Sequence, residues 1–106
     1  MKRDIGNVLG DSRRELEAIY GPRLRGLYLY GSYARGESDD ESDLDLLVVL
    51  GNYDRYGEEV DRTAPAVSRL SITHGVSIST VFIGEKEWRT GNSPFIANVR
   101  EEALPA

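Results

Sequence analysis

Apolar positions recur at spacings of three and four from Ile5 through Val8, Leu9, Ser12, Leu16 and Ile19 to Tyr20, with Arg13, Arg14, Glu15 and Glu17 off that stripe. This is the pattern of an amphipathic helix, and Gly21-Pro22 supplies its stop. Leu24 to Tyr30 is short and rich in Leu and Tyr, which predicts a strand largely buried on both faces. Leu44 to Leu50 is the strongest strand of the chain, an almost unbroken Leu/Val run closed by Gly51-Asn52. A second helix follows, with Asp54 as expected cap and Tyr56, Val60, Ala64, Val67, Leu70 and Ser71 as its expected inner stripe. Pro65 falls inside that pattern and predicts a kink or a displaced boundary.

Val76 to Ile83 is again β-rich, with Ser77, Ser79, Val81 and Ile83 on one face and Val76, Ile78, Thr80 and Phe82 on the other. Glu85 to Arg89 reads as one helical turn around Trp88. Ser93-Pro94 opens a last helix to Glu102, with Ser as cap and Pro at the first helical position. Only Leu104 to Ala106 look frayed. Helices alternating with strands over short links predict an α/β (α+β) fold, a small mixed β-sheet packed by helices. Three strands are the minimum, and a fourth could lie near Tyr53 or Arg89.

At 106 residues the expectation is a single domain, residues 1–106. No apolar run approaches the roughly 20 residues of a membrane span, and no signal-peptide core follows Met1 to Gly6, so the expected compartment is the cytoplasm. The absence of Cys excludes thiolate catalysis and cysteine zinc sites, and a single histidine, His74, excludes a multi-histidine metal centre. A net charge of −5 with scattered basic residues argues against direct nucleic-acid binding.

The acidic excess concentrates between Glu37 and Asp45, where six of nine residues are Asp or Glu. Residues two apart in an extended segment point to one side, so Asp43 and Asp45 would present two carboxylates together. Such a pair repels itself unless a cation sits between its members, and a divalent metal is the economical candidate. Ahead of it, Gly31-Ser32 ends a strand. Gly permits an unusual backbone, and Ser is the expected cap of a turn through Tyr33, Ala34 and Arg35, where a phosphate could bind. Arg35 could reach that phosphate or simply pair with Glu37. Trp88 and Phe95 read as core or partner contacts, and His74 as a helix C-terminal residue.

Gly31-Ser32-Tyr33-Ala34-Arg35-Gly36-Glu37 followed by Ser42-Asp43-Leu44-Asp45-Leu46-Leu47-Val48 resembles the nucleotidyltransferases related to DNA polymerase β. The likeness is greatest to the minimal nucleotidyltransferases (MNT), the antitoxin partners of HEPN-domain toxins, and it extends to the closing Pro94 to Glu102 segment. The resemblance implies a polymerase β-like fold, a nucleoside triphosphate held at Gly31, Ser32 and Arg35, and Mg²⁺ held by catalytic Asp43 and Asp45. It further implies AMP transfer from ATP to a hydroxyl, such as a Tyr, of a partner toxin. That family carries a third carboxylate on a neighbouring strand. Ser79 aligns with it here, and a hydroxyl is a poor Mg²⁺ ligand and no general base. Glu85 or Glu87 could substitute. Two alternatives stay open: a catalytically degenerate binding module that neutralises its partner by occlusion, and a nucleotidyltransferase acting on a small molecule.

Overall fold

A computed structural model describes residues 5–106. Helix α1 (Gly6–Tyr20) runs through a single 3₁₀ turn into strand β1 (Leu24–Tyr30), and the one-turn helix α2 (Ser32–Arg35) follows directly. After the acidic loop come β2 (Leu44–Leu50), α3 (Tyr56–His74), β3 (Ile78–Gly84), α4 (Glu85–Thr90), α5 (Pro94–Glu102) and the two-residue strand β4 (Leu104–Pro105). The sheet order is β3-β2-β1-β4, with β2 and β3 parallel and the other pairs antiparallel. A parallel pair needs a crossover, and α3 provides it. The expected mixed sheet packed by helices is therefore present.

Strand β2 sits at the centre, and its alternate residues serve two cores. Leu44, Leu46, Val48 and Leu50 join Leu27, Leu29 and Phe82 against Val8, Leu16 and Tyr20 of α1. Leu47 and Val49 join Ile83 against Ile96 and Val99 of α5, with Tyr28 and Trp88 at the margin. Burial on both faces is why this strand reads as a continuous apolar run.

Four expectations change. The fourth strand is neither near Tyr53 nor near Arg89. It is Leu104–Pro105, expected to fray, which pairs with Leu29 and Tyr28 through contacts that only the folded chain brings together. Helix α3 begins beyond Asp54: Arg55 is its N-terminal flanking residue and no side chain caps it. Its buried stripe is Glu59, Thr63, Ala66 and Leu70, while Tyr56, Val60 and Ala64 are exposed. The helix is rotated by about one residue because Glu59 turns inward, where it accepts from Tyr20 Oη at 2.7 Å and pairs with Arg62 at 3.2 Å. A buried carboxylate needs such partners. Tyr56 instead uses its hydroxyl to accept the Phe82 amide at 3.2 Å and its ring to meet Phe82 edge-on. The helix also continues through Pro65, whose lost hydrogen bond falls at Asp61 on the exposed side, where water can serve the carbonyl.

Other expectations match. Ser93 Oγ accepts from the Ile96 amide, with Pro94 at the first helical position. His74 lies in the last turn of α3, its Nε2 2.8 Å from Asp11 Oδ2 of α1.

Candidate functional site

The two cores fill only part of the sheet. On the α4/α5 face, the row beyond Leu47 consists of Tyr30, Asp45 and Ser79, which are direct neighbours across three strands: Tyr30 pairs with Asp45, and Asp45 with Ser79. Asp43, two residues earlier, is exposed at the strand's entrance. Leu44 fixes that entrance, its amide donating to the Ser77 carbonyl at 2.8 Å. The preceding loop has its own order: Asp39 Oδ1 accepts from the Glu41 amide, and the Asp39 amide donates to Ser42 Oγ.

Asp45 is half-buried, and burial first, then the Asp43 charge, pushes its carboxyl above the usual range. The Tyr30 hydroxyl is pushed up to about 12 by burial and by the Asp45 charge, so it stays protonated at neutral pH. A carboxylate with this surplus of negative charge favours a cation. Asp43 and Asp45 offer hard oxygen donors of the kind Mg²⁺ takes, and Mg²⁺ commonly completes its shell with water and substrate phosphate. Among the described residues no group of three His, Cys, Asp or Glu side chains is placed to hold a metal. Asp43 and Asp45 are the residues that would hold such an ion, with water and phosphate oxygens completing its shell.

Gly31 follows Tyr30 and has φ 76° and ψ −155°, a conformation open essentially to Gly alone. A Cβ there would collide with Asp45 Oδ2 and lie 3.1 Å from its Cγ, so the turn passes directly over the carboxylate. Ser32 is the first residue of α2 and not its cap, a correction: the turn is closed by backbone bonds, Arg35 N–H to the Gly31 carbonyl and Glu37 N–H to the Ser32 carbonyl. Gly36, left-handed at φ 73°, ends it. Arg35 donates to Glu37 and to Glu102, each at 2.9 Å.

Topology removes Glu85 and Glu87 from this site. Gly84 pairs with Leu50, at the other end of the parallel strands from the Asp45–Ser79 pair. Five residues at roughly 3.3 Å each place Glu85 more than about 16 Å away along the strand.

Sequence reasoning missed Glu102 and the neighbouring cleft. A cavity of about 680 Å³ opens beside the Gly31 turn, lined among others by Tyr30, Arg35, Phe95, Asn98 and Glu102. Phe95 meets Tyr30 edge-on at 6.0 Å and remains 44% exposed, while Trp88 packs on Tyr28. Ser93-Pro94 marks the start of α5 in the sequence, but no spacing connects residue 102 to residue 31.

Residues 11–106 match the model of the nucleotidyltransferase domain family. The chain belongs to that family. This nucleotidyltransferase is 34% identical over 88 residues to "Putative protein adenylyltransferase MJ0604" of Methanocaldococcus jannaschii, which covers 82% of each chain. Its fold is similar to that in a crystal structure of a toxin-antitoxin with AMP-PNP, at a TM-score of 0.68 and 18% identity over 92% of this nucleotidyltransferase and 70% of that chain. It is also similar to a structure of a tri-AMPylated Shewanella oneidensis HEPN toxin in complex with MNT antitoxin, at a TM-score of 0.62 and 15% identity over 93% and 68% of the two chains. Among the described residues of the nucleotidyltransferase, no helix is long and apolar enough to cross a membrane.

Proposed function

We propose that the chain transfers AMP from ATP to a tyrosine hydroxyl of a partner protein, a HEPN-domain toxin, with Mg²⁺ held by Asp43 and Asp45. The observation that carries this reading is the close approach of the Gly31 turn to the Asp45 carboxylate. Gly31, Ser32 and Arg35 would hold the triphosphate. The acceptor oxygen forms a bond to the α-phosphorus, the bond to the bridging oxygen breaks, the hydroxyl proton leaves to solvent, and pyrophosphate departs. The metal supplies charge neutralisation at the phosphates when bound. The protonated Tyr30 hydroxyl can donate to a phosphate oxygen beside Asp45, and the cleft floored by Tyr30 and Phe95 has room for an aromatic acceptor side chain. The relatives' names and the toxin-antitoxin neighbours support this choice of partner.

One observation favours a second reading, a binding module that silences its partner by occlusion. Ser79 stands in register beside Asp45, where a third carboxylate would complete the site. Purified chain, Mg²⁺, labelled ATP and a co-expressed HEPN partner separate the two readings. Label transfer to a partner Tyr, abolished in Asp43→Asn with Asp45→Asn, is the expected result. Tight, neutralising binding of the partner with no transfer would instead establish the binding module.

A further inference from the structure

The Gly31 turn is held from two sides. On one side lies β2, with Asp45 opposite Tyr30. On the other side lies β4, which pairs Tyr28 with Pro105 and Leu29 with Leu104; extended by two residues, that register would set Glu102 opposite Gly31. By Glu102 the backbone is already the last turn of α5, so no strand remains to pair with Gly31. The Glu102 side chain takes that place. Its Oε1 accepts from the Gly31 amide at 3.2 Å and its Oε2 from Arg35 Nη1 at 2.9 Å. One carboxylate thus bonds both the turn's first amide and the only guanidinium that α2 carries.

We propose that Glu102 is a positioning residue for the nucleotide: it fixes the Gly31 backbone and aims Arg35, and acts on the nucleotide through them. This rests on the nucleotidyltransferase reading of the Gly31 turn. Three observations carry it. The carboxylate follows α5 and precedes β4, so it comes to the Gly31 amide from the β4 side of β1, whereas Asp45 belongs to β2 on the other side. Its own backbone is anchored, since the Ala103 amide donates to the Val99 carbonyl and the next two residues pair with β1, which leaves it little freedom to swing away. Arg35 is otherwise an exposed side chain whose other ion-pair partner among the described residues is Glu37 in the flanking loop, so Glu102 helps to set where its charge points. An ion pair of this kind adds little to stability at the surface, so its effect falls on geometry at the turn. The Arg35 hydrogen bond holds the Glu102 carboxyl below its usual range, which keeps the bridge charged at neutral pH.

The test measures ATP affinity with Mg²⁺ in the full chain, for wild type, Glu102→Ala, Glu102→Asp, Arg35→Ala and the double variant, beside thermal melting and the hydrogen exchange of the Gly31 amide. We expect Glu102→Ala to weaken ATP binding about tenfold while melting shifts by only a few degrees, and Glu102→Asp to recover part of the loss. Adding Glu102→Ala to Arg35→Ala should cost less affinity than Glu102→Ala costs alone, because the part that runs through Arg35 is already lost. A Glu102→Ala variant that binds ATP as well as or better than wild type overturns the proposal, the carboxylate then being neutral or a competitor. So does an equal loss in both backgrounds. Should wild type bind no ATP, the nucleotide reading fails by itself, and positioning is read from the Gly31 amide that Glu102 accepts from: its hydrogen exchange must quicken in Glu102→Ala, and unchanged exchange refutes it.

Discussion

Replacing Gly31 with Ala perturbs backbone and carboxylate together, and the two contributions can be separated. Gly31 sits at φ 76° and ψ −155°. For a residue with a side chain this region costs about 1–3 kcal/mol. The new methyl must also displace the Asp45 carboxylate, since its carbon would overlap Oδ2 and lie 3.4 Å from Asp45 Cβ. Asp45 stands between Tyr30 and Ser79 in the sheet and can move only by leaving its rotamer, at roughly 0.5–1.5 kcal/mol. The expected loss is about 2–4 kcal/mol in chemical denaturation. Gly36→Ala is the internal control. Its φ of 73° and ψ of 22° are left-handed, but nothing lies within 4 Å of the added carbon, so the cost is the backbone's alone, about 1–2 kcal/mol. Mn²⁺ binding, followed by paramagnetic relaxation, reads the second effect: Gly31→Ala should weaken it at least tenfold, and Gly36→Ala should leave it unchanged. If the two variants lose equal stability and bind metal equally, the close approach of the turn to Asp45 does not govern the site.

Ser79→Asp adds a carboxylate beside Asp45 in the parallel register. Like charges roughly 5 Å apart should lower metal-free stability by about 1 kcal/mol, while calorimetry should show Mg²⁺ affinity raised about tenfold; unchanged affinity would separate position 79 from the metal site. The pH dependence follows from two opposite shifts. Asp45 is raised in the folded state, so its ionisation costs stability at neutral pH. Asp45→Asn should therefore raise the melting temperature in EDTA near pH 7, the gain vanishing below the unfolded carboxyl range near 3.8, and wild-type Mg²⁺ affinity should fall as pH drops through the raised range. Glu102 is lowered, so its contribution is complete above about 4.5 and is lost as pH falls further; melting of Glu102→Gln against wild type should converge there.

What the sequence makes legible is local. Period and punctuation locate the helices and the three long strands, because those signals act within a few residues. The carboxylate spacing and the Gly-Ser turn are equally local, and the register brings Asp45, Tyr30 and Ser79 into one row. The missed features all depend on contacts across the chain. Leu104–Pro105 is too short to carry a strand pattern and becomes one only by meeting β1. The rotation of α3 goes with Tyr20 of α1 meeting Glu59, so a polar residue goes inside where a hydrophobic stripe predicts Val60 and Ala64. Glu102 looks like one of many helix-surface acids until the folded chain brings it to the Gly31 amide.

The same alternation explains why the site is both held and accessible. Residues 45, 47 and 49 of β2 share one face, and Ile96 and Val99 of α5 join the core around Leu47 and Val49 while the Asp45 row borders the open cleft. Asp45 therefore has the backbone rigidity of a central strand without full burial. That position is unfavourable for an ionised carboxylate, as the direction of its shift records. The surrounding strand offsets the cost. Leu44, Leu46, Leu47, Val48, Val49 and Leu50 are each at most 1% exposed, and burying each contributes roughly 1.5–3 kcal/mol, well above the penalty of one strained carboxylate. A cation at Asp43 and Asp45 would remove the penalty outright, so metal binding should stabilise the chain through these two residues and should do so less in Asp45→Asn.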